Sequence, residues 1–117
     1  MFTVYYQNGL SRMMKPKFEH LVNFFGGCFH QDWDLDAQSC EEVLELFFRE
    51  SPFDEVTNVV NELKELLAIN LSDIKLRQIL TEDLHCYYMP PEETPVRDWL
   101  VFVRDSLVRL MSTKASG

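Results

Sequence analysis

The stretch Thr94-Pro95-Val96-Arg97-Asp98-Trp99-Leu100-Val101-Phe102-Val103-Arg104-Asp105-Ser106-Leu107-Val108-Arg109-Leu110 decides the fold. Val96, Trp99, Leu100, Val103, Leu107 and Leu110 recur at the spacing of one helix face. Val101, Phe102 and Val108 widen the stripe. A helix apolar around so much of its girth must be covered from several sides, so it is expected at the centre of the molecule. Thr94-Pro95 starts it, because the N–H that proline lacks has no partner in a first turn.

Reading back from that helix, the loop Leu84-His85-Cys86-Tyr87-Tyr88-Met89-Pro90-Pro91 ends in two prolines that forbid helix. Before it, Ser72 caps a short helix with Leu76, Ile79 and Leu80 inward, and Leu71 staples onto Leu76. Ser51-Pro52 opens a longer helix with Phe53, Val56, Val59, Val60, Leu63, Leu66 and Leu67 on one face. Ser39 and Glu42 have capping-box spacing and start a helix with Val43, Leu44, Phe47 and Phe48 inward. Phe18, Leu21, Val22 and Phe25 mark a first helix over Lys17–Phe25, and Gly26-Gly27 is expected to end it in left-handed backbone. The strand-like run Phe2–Tyr6 has no partner strand. These elements predict an all-α, single-domain bundle of about five helices at residues 15–112, with an extended N-terminal arm at 1–14 and a frayed tail at 113–117.

The 117 residues suffice for one domain, and 46% apolar content with nine Phe, four Tyr and two Trp excludes a disordered chain. The longest apolar run, Trp99–Val103, is far below the roughly 20 residues of a membrane span. Met1–Tyr6 lacks a basic leader and a cleavage site. With three cysteines, this points to free thiols in a reducing compartment and a cytoplasmic location.

Charge is distributed unevenly. The net charge is −8, and residues 31–55 hold nine acids (Asp32, Asp34, Asp36, Glu41, Glu42, Glu45, Glu50, Asp54 and Glu55) against the single base Arg49. That segment therefore carries the whole imbalance, and the remainder is neutral. Direct binding of nucleic acid, which needs clustered Lys and Arg, is excluded. A basic protein partner is implied, with Asp34, Asp36, Glu41, Glu42, Glu45, Glu50, Asp54 and Glu55 as candidate contacts. Either Tyr87 or Tyr88 can face outward, and Tyr88 is the one assigned to the partner surface.

Other chemistry finds little support. Asp32, Asp34 and Asp36 mimic the start of a calcium loop, but Ala37 and Val43 stand where that loop needs glycine and a bidentate glutamate. Cys28, His30, Cys40, His85 and Cys86 lack zinc-knuckle spacing. Cys28, His30 and Asp32 make no demanding catalytic arrangement, so neither an enzyme nor a metal or cofactor is expected. His30 reads as a loop anchor, and Phe25, Phe29 and Trp33 as plugs for the bundle.

Phe24-Phe25-Gly26-Gly27-Cys28-Phe29-His30-Gln31-Asp32-Trp33-Asp34, Cys86-Tyr87-Tyr88-Met89-Pro90-Pro91 and Asp98-Trp99-Leu100 together resemble the CdiI-type immunity proteins of bacterial contact-dependent growth inhibition. The resemblance spans about Phe18 to Leu110, and departs at Cys28, where tyrosine is expected. It implies that Phe25, Gly26, Gly27, Phe29, His30, Gln31, Asp32, Trp33, Tyr87, Pro90 and Trp99 are signature positions with a structural role. It further implies a protein that neutralises the C-terminal toxin domain of a neighbouring cell, commonly a nuclease. An acidic helical adaptor or regulator of another basic protein is the alternative that the charge pattern also admits.

Overall fold

In the computed structural model, backbone is described for residues 9–116 and side chains for 18–34 and 37–113. The helices are α1 (Gly9–Cys28), α2 (Trp33–Asp36), α3 (Cys40–Glu50), α4 (Phe53–Ala68), α5 (Asp73–Gln78) and α6 (Val96–Ser116), with a π-helical turn at Ile79–Asp83. No strand occurs among the described residues. The expected all-α bundle is what forms. Of the arm expected at residues 1–14, residues 1–8 lie outside the described residues and 9–14 belong to α1.

The last helix is central, as its broad apolar girth predicts. α6 packs against α3, α4 and α5, while α1 lies on α4. Val96, Trp99, Leu100, Val103 and Leu107 are buried against Val56, Val59, Val60, Leu63 and Leu66 of α4 and the other core side chains. Each fully buried Leu or Phe in this core contributes about 1.5–3 kcal/mol. Two side chains placed inward by spacing lie outside the core: Phe53, at the first position of α4, is 43% exposed and Val108 is 38% exposed.

α1 is longer than expected and broken. Phe18 leaves helical geometry (φ −125°, ψ 27°), two residues after Pro16, so the helix restarts where the sequence places its beginning. Leu21 then sits in the first turn after the break, and first-turn N–H groups draw acceptors from outside the helix. The buried carboxylate of Glu62 on α4 fills that need, accepting from Leu21 N–H at 3.0 Å. Burial pushes the Glu62 carboxyl above its ordinary range, against the opposing pull of the Leu21 N–H and of His20.

Two further helix ends are finished by distant side chains. Asp73 Oδ1 accepts from Val96 N–H at the start of α6 (2.6 Å), and Oδ2 accepts from Arg77 (3.0 Å). Desolvation raises the Asp73 carboxyl, but the Val96 N–H and Arg77 outweigh it and hold the group below its usual range. The guanidinium of Arg97 donates to the carbonyls of Leu67 (2.7 Å), Ile69 (3.1 Å) and Leu71 (3.2 Å), tying α6 to the last turn of α4 and to the segment that follows it. By contrast, Ser39 and Ser72 cap locally, accepting from Glu42 N–H and Lys75 N–H as their spacing predicts.

The glycine pair does not stop α1. Helix continues through Gly26 and Gly27 to Cys28, and neither residue has positive φ. The cause lies one turn further on. Phe25 and Phe29 are both wholly buried, and only continued helical winding, with Phe29 N–H bonded to Phe25 O at 2.9 Å, puts Phe29 on the core face. Burying that ring offsets the roughly 1 kcal/mol that each helical glycine costs relative to alanine.

Gly27 is exposed, and a Cβ added there would meet nothing within 4 Å. Gly27→Ala should therefore stabilise the fold by about 0.5–1 kcal/mol, read as a higher urea midpoint at unchanged slope. A lowered midpoint would contradict the helical assignment through the pair.

Candidate partner-binding surface

Within the acidic segment, α3 is a helix whose orientation is fixed from both sides. Inward, Val43 and Leu44 are buried, and Phe47 of α3 meets Phe24 of α1 edge-on with ring centroids 4.7 Å apart. At the helix start, Ser39 Oγ accepts from Glu42 N–H at 3.2 Å, and Glu42 Oε1 accepts from Gln38 N–H at 2.6 Å. The capping box thus forms, with its return bond one residue earlier than the usual Ser39 N–H. Helical winding then turns Glu41, Glu42 and Glu45 to one exposed face, joined one turn on by exposed Arg49.

The other predicted contacts are spread around this face. Asp34 on α2, Glu50 at the end of α3 and Asp54 in the first turn of α4 are exposed. Asp36 falls where side chains are outside the described residues. Glu55 departs from the expectation: it is half-buried, and both carboxylate oxygens lie against His20 Nδ1 of α1, at 3.1 and 3.2 Å. A long-range ion pair of this kind leaves no trace in local spacing. Burial pushes the His20 ring down, but the Glu55 bond and the charges of Glu55, Glu62 and Glu19 prevail, raising it above 6.5.

The signature residues gather around the end of α1. Phe29 O accepts from Tyr87 N–H at 2.8 Å, tying the 84–91 loop to α1. His30 Nδ1 accepts from Asp32 N–H at 3.0 Å and so closes the turn into α2. Gln31 and Asp32 are exposed, Trp33 is half-buried, and Pro90 is buried. Phe25 and Phe29 lie 6.0 and 5.5 Å from Trp99 between ring centroids.

Of the two tyrosines, Tyr87 is the one that faces outward. Tyr87 is 65% exposed. Tyr88 is half-buried, its ring 5.0 Å from Trp99, 5.6 Å from Trp33 and 5.9 Å from Phe29. The backbone bond from Tyr87 to Phe29 sets this register, directing the next side chain into the rings, and no feature of the Tyr-Tyr pair itself announces it.

Nothing in this region resembles an activated nucleophile. Burial, reinforced by Glu50, pushes the Cys28 thiol up to about 11, and burial pushes Cys86 up to about 12. Burial also raises Cys40, although the Tyr88 hydroxyl and the Trp99 N–H act on its sulfur in the opposite sense. All three cysteines are free thiols. Among the described residues no three His, Cys, Asp or Glu groups are placed to hold a metal ion, and no helix is long and apolar enough to cross a membrane. Residues that spacing did not single out are His20, Glu62, Asp73 and Arg97, all engaged by partners far away in the chain.

Comparison with known proteins gives a consistent result. Residues 17–107 match the family model described as CdiI immunity protein. A chain of the crystal structure of a CdiA-CT/CdiI complex from Y. kristensenii superposes with a TM-score of 0.72 at 27% identity, covering 78% of this chain and 98% of that one. No curated protein matches significantly.

The raised His20 pKa makes stability depend on pH in a defined sense. The His20–Glu55 pair stabilises the fold fully below the unfolded value of 6.5, and that contribution is lost as pH rises through the higher folded value. The stability difference between the parent and Glu55→Gln should therefore be largest near about pH 6 and shrink toward about pH 8 in urea titrations. A difference independent of pH would show that the pair is not charged in the fold.

Proposed function

This chain belongs to the CdiI immunity protein family, and from that premise we propose that it neutralises a contact-dependent growth inhibition toxin by laying the acidic outer face of α3 over a basic surface of the toxin domain. The observation that carries this reading is the face itself. Glu41, Glu42 and Glu45 are exposed together on a helix held rigid by its own caps and by Val43, Leu44 and Phe47 beneath. The structural relative is a chain of a complex with a CdiA-CT domain, which supports a protein partner of that kind.

A nuclease toxin fits the charge best. Its active site must be basic to hold a polyanion, so an acidic helix can occupy the groove in place of RNA or DNA. The mechanism is steric and electrostatic occlusion in the cytoplasm, with no bond made or broken by this chain. Opposite fields raise association toward about 10⁸ M⁻¹s⁻¹ or more at low salt, suiting a protein that must intercept a toxin before it acts. An interface of roughly 1,600 Å² would be ordinary, with affinity set by a few buried anchors.

Co-expression with CdiA C-terminal toxin domains should restore growth against the cognate one. Glu41→Lys with Glu45→Lys, both exposed, should slow association with that domain by about tenfold or more at low salt and leave the melting temperature nearly unchanged. Stopped-flow measurements checking this would count against the α3 face if the doubly reversed variant associated at the parent rate. Absence of growth rescue would count against the immunity reading as a whole.

A further inference from the structure

Beside the acidic face, where α2, the start of α3, the 84–91 loop and α6 meet, lies an open cleft of about 360 Å³. Its walls are Trp33, Cys40, Glu41, Tyr88, Trp99 and Phe102. Trp33 and Tyr88 stand nearly perpendicular (84°), and Tyr88 lies tilted over Trp99 at 35°. The volume admits one long side chain and no folded element. Glu41, exposed at the first turn of α3, brings a carboxylate to this aromatic lining.

Trp99 is 6% exposed and its indole Nε1 is itself buried, so an occupant of the cleft meets the edge of the ring system and not that N–H.

The aromatic lining and the Glu41 carboxylate select among occupants. An anion is repelled by Glu41 and its neighbours Glu42 and Glu45. A purely apolar group would desolvate the Glu41 carboxylate with nothing in return. A cation meets both requirements: the aromatic rings attract the charge and Glu41 neutralises it. Guanidinium fits better than ammonium, because its plane stacks on rings and its fork matches a carboxylate.

Building on the reading that the partner is a basic protein, we propose that this cleft receives a single arginine side chain of that partner, stacked among Trp33, Tyr88 and Trp99 and paired with Glu41. The anchor adjoins the α3 face and shares Glu41 with it: the face steers the encounter over distance, and the cleft holds one residue after contact.

The test requires no toxin, so its outcome is separable from that of growth rescue. The chain's two tryptophans, Trp33 and Trp99, both line the cleft, and intrinsic fluorescence therefore reports it directly. The probe is N-acetyl-arginine methylamide, compared at matched ionic strength with the uncharged isostere N-acetyl-citrulline methylamide and with N-acetyl-glutamate methylamide. The arginine probe should give a saturable change, with the other two at least about fivefold weaker. Glu41→Gln should weaken the arginine response about threefold or more while melting as the parent does. Equal responses to arginine and citrulline probes, a stronger response to glutamate, or no saturation by arginine up to about 100 mM would each overturn the proposal. Saturation by arginine without growth rescue would keep the cleft and remove the immunity reading, and the converse result would do the opposite.

Discussion

Five aromatic rings close on one phenylalanine, and the rest of the structure depends on that contact. Phe29 is wholly buried, with ring centroids of Trp99 at 5.5 Å, Tyr88 at 5.9 Å, Phe24 at 6.0 Å, Trp33 at 6.1 Å and Phe25 at 6.2 Å. Those rings come from α1, α2, the 84–91 loop and α6, so a single side chain joins segments that are remote in sequence. Its backbone carbonyl is also used, accepting from Tyr87 N–H at 2.8 Å. Much of the local geometry follows. α1 must wind through two glycines to deliver the ring, α2 must turn back to bring Trp33, and the loop must set Tyr88 inward and Tyr87 outward.

Around this hub, the bundle solves a problem common to short helices. Each helix end leaves backbone groups without partners, and serine caps satisfy only some of them. Here several of the others are satisfied from a distance: Glu62 on α4 serves the restart of α1, Asp73 on α5 serves the start of α6, and Arg97 on α6 serves the end of α4. Each of these groups closes a helix end and at the same time fixes one helix against another. This arrangement explains why Glu62, an acidic residue on the long fourth helix, faces inward: the cost of burying its charge is offset by an otherwise orphaned N–H and by the nearby His20.

What spacing reveals and what it hides divide along the same line. The apolar stripes of α4 and α6, the serine caps at Ser39 and Ser72, and the proline-ended loop were legible because each is a local pattern within a few residues. The passage of α1 through Gly26-Gly27 was not, because the decision rests on the burial of Phe29 against α6. Likewise Glu55 reads as one acid among nine until His20, 35 residues earlier in the chain, is brought beside it. The candidate surface was legible as charge but not as shape. Sequence located the acids between residues 31 and 55, and only the fold separates the exposed set on α3 from the carboxylate engaged by α1.

A division of labour follows for a member of the immunity family. The rings and remote caps build the scaffold, and the proposed recognition surface, the outward side of α3 with its neighbouring cleft, rests on it. That account stands on the Phe29 hub, whose ring packs against Trp33, Tyr88 and Trp99 of the cleft and against Phe24, the ring that meets Phe47 of α3. The most direct measurement is the urea unfolding free energy of Phe29→Ala, followed by the emission of Trp33 and Trp99. Loss of the hub should lower stability by about 3–5 kcal/mol and shift the native emission of both tryptophans toward that of exposed indole. A loss below about 1 kcal/mol, with native emission unchanged, would contradict the account.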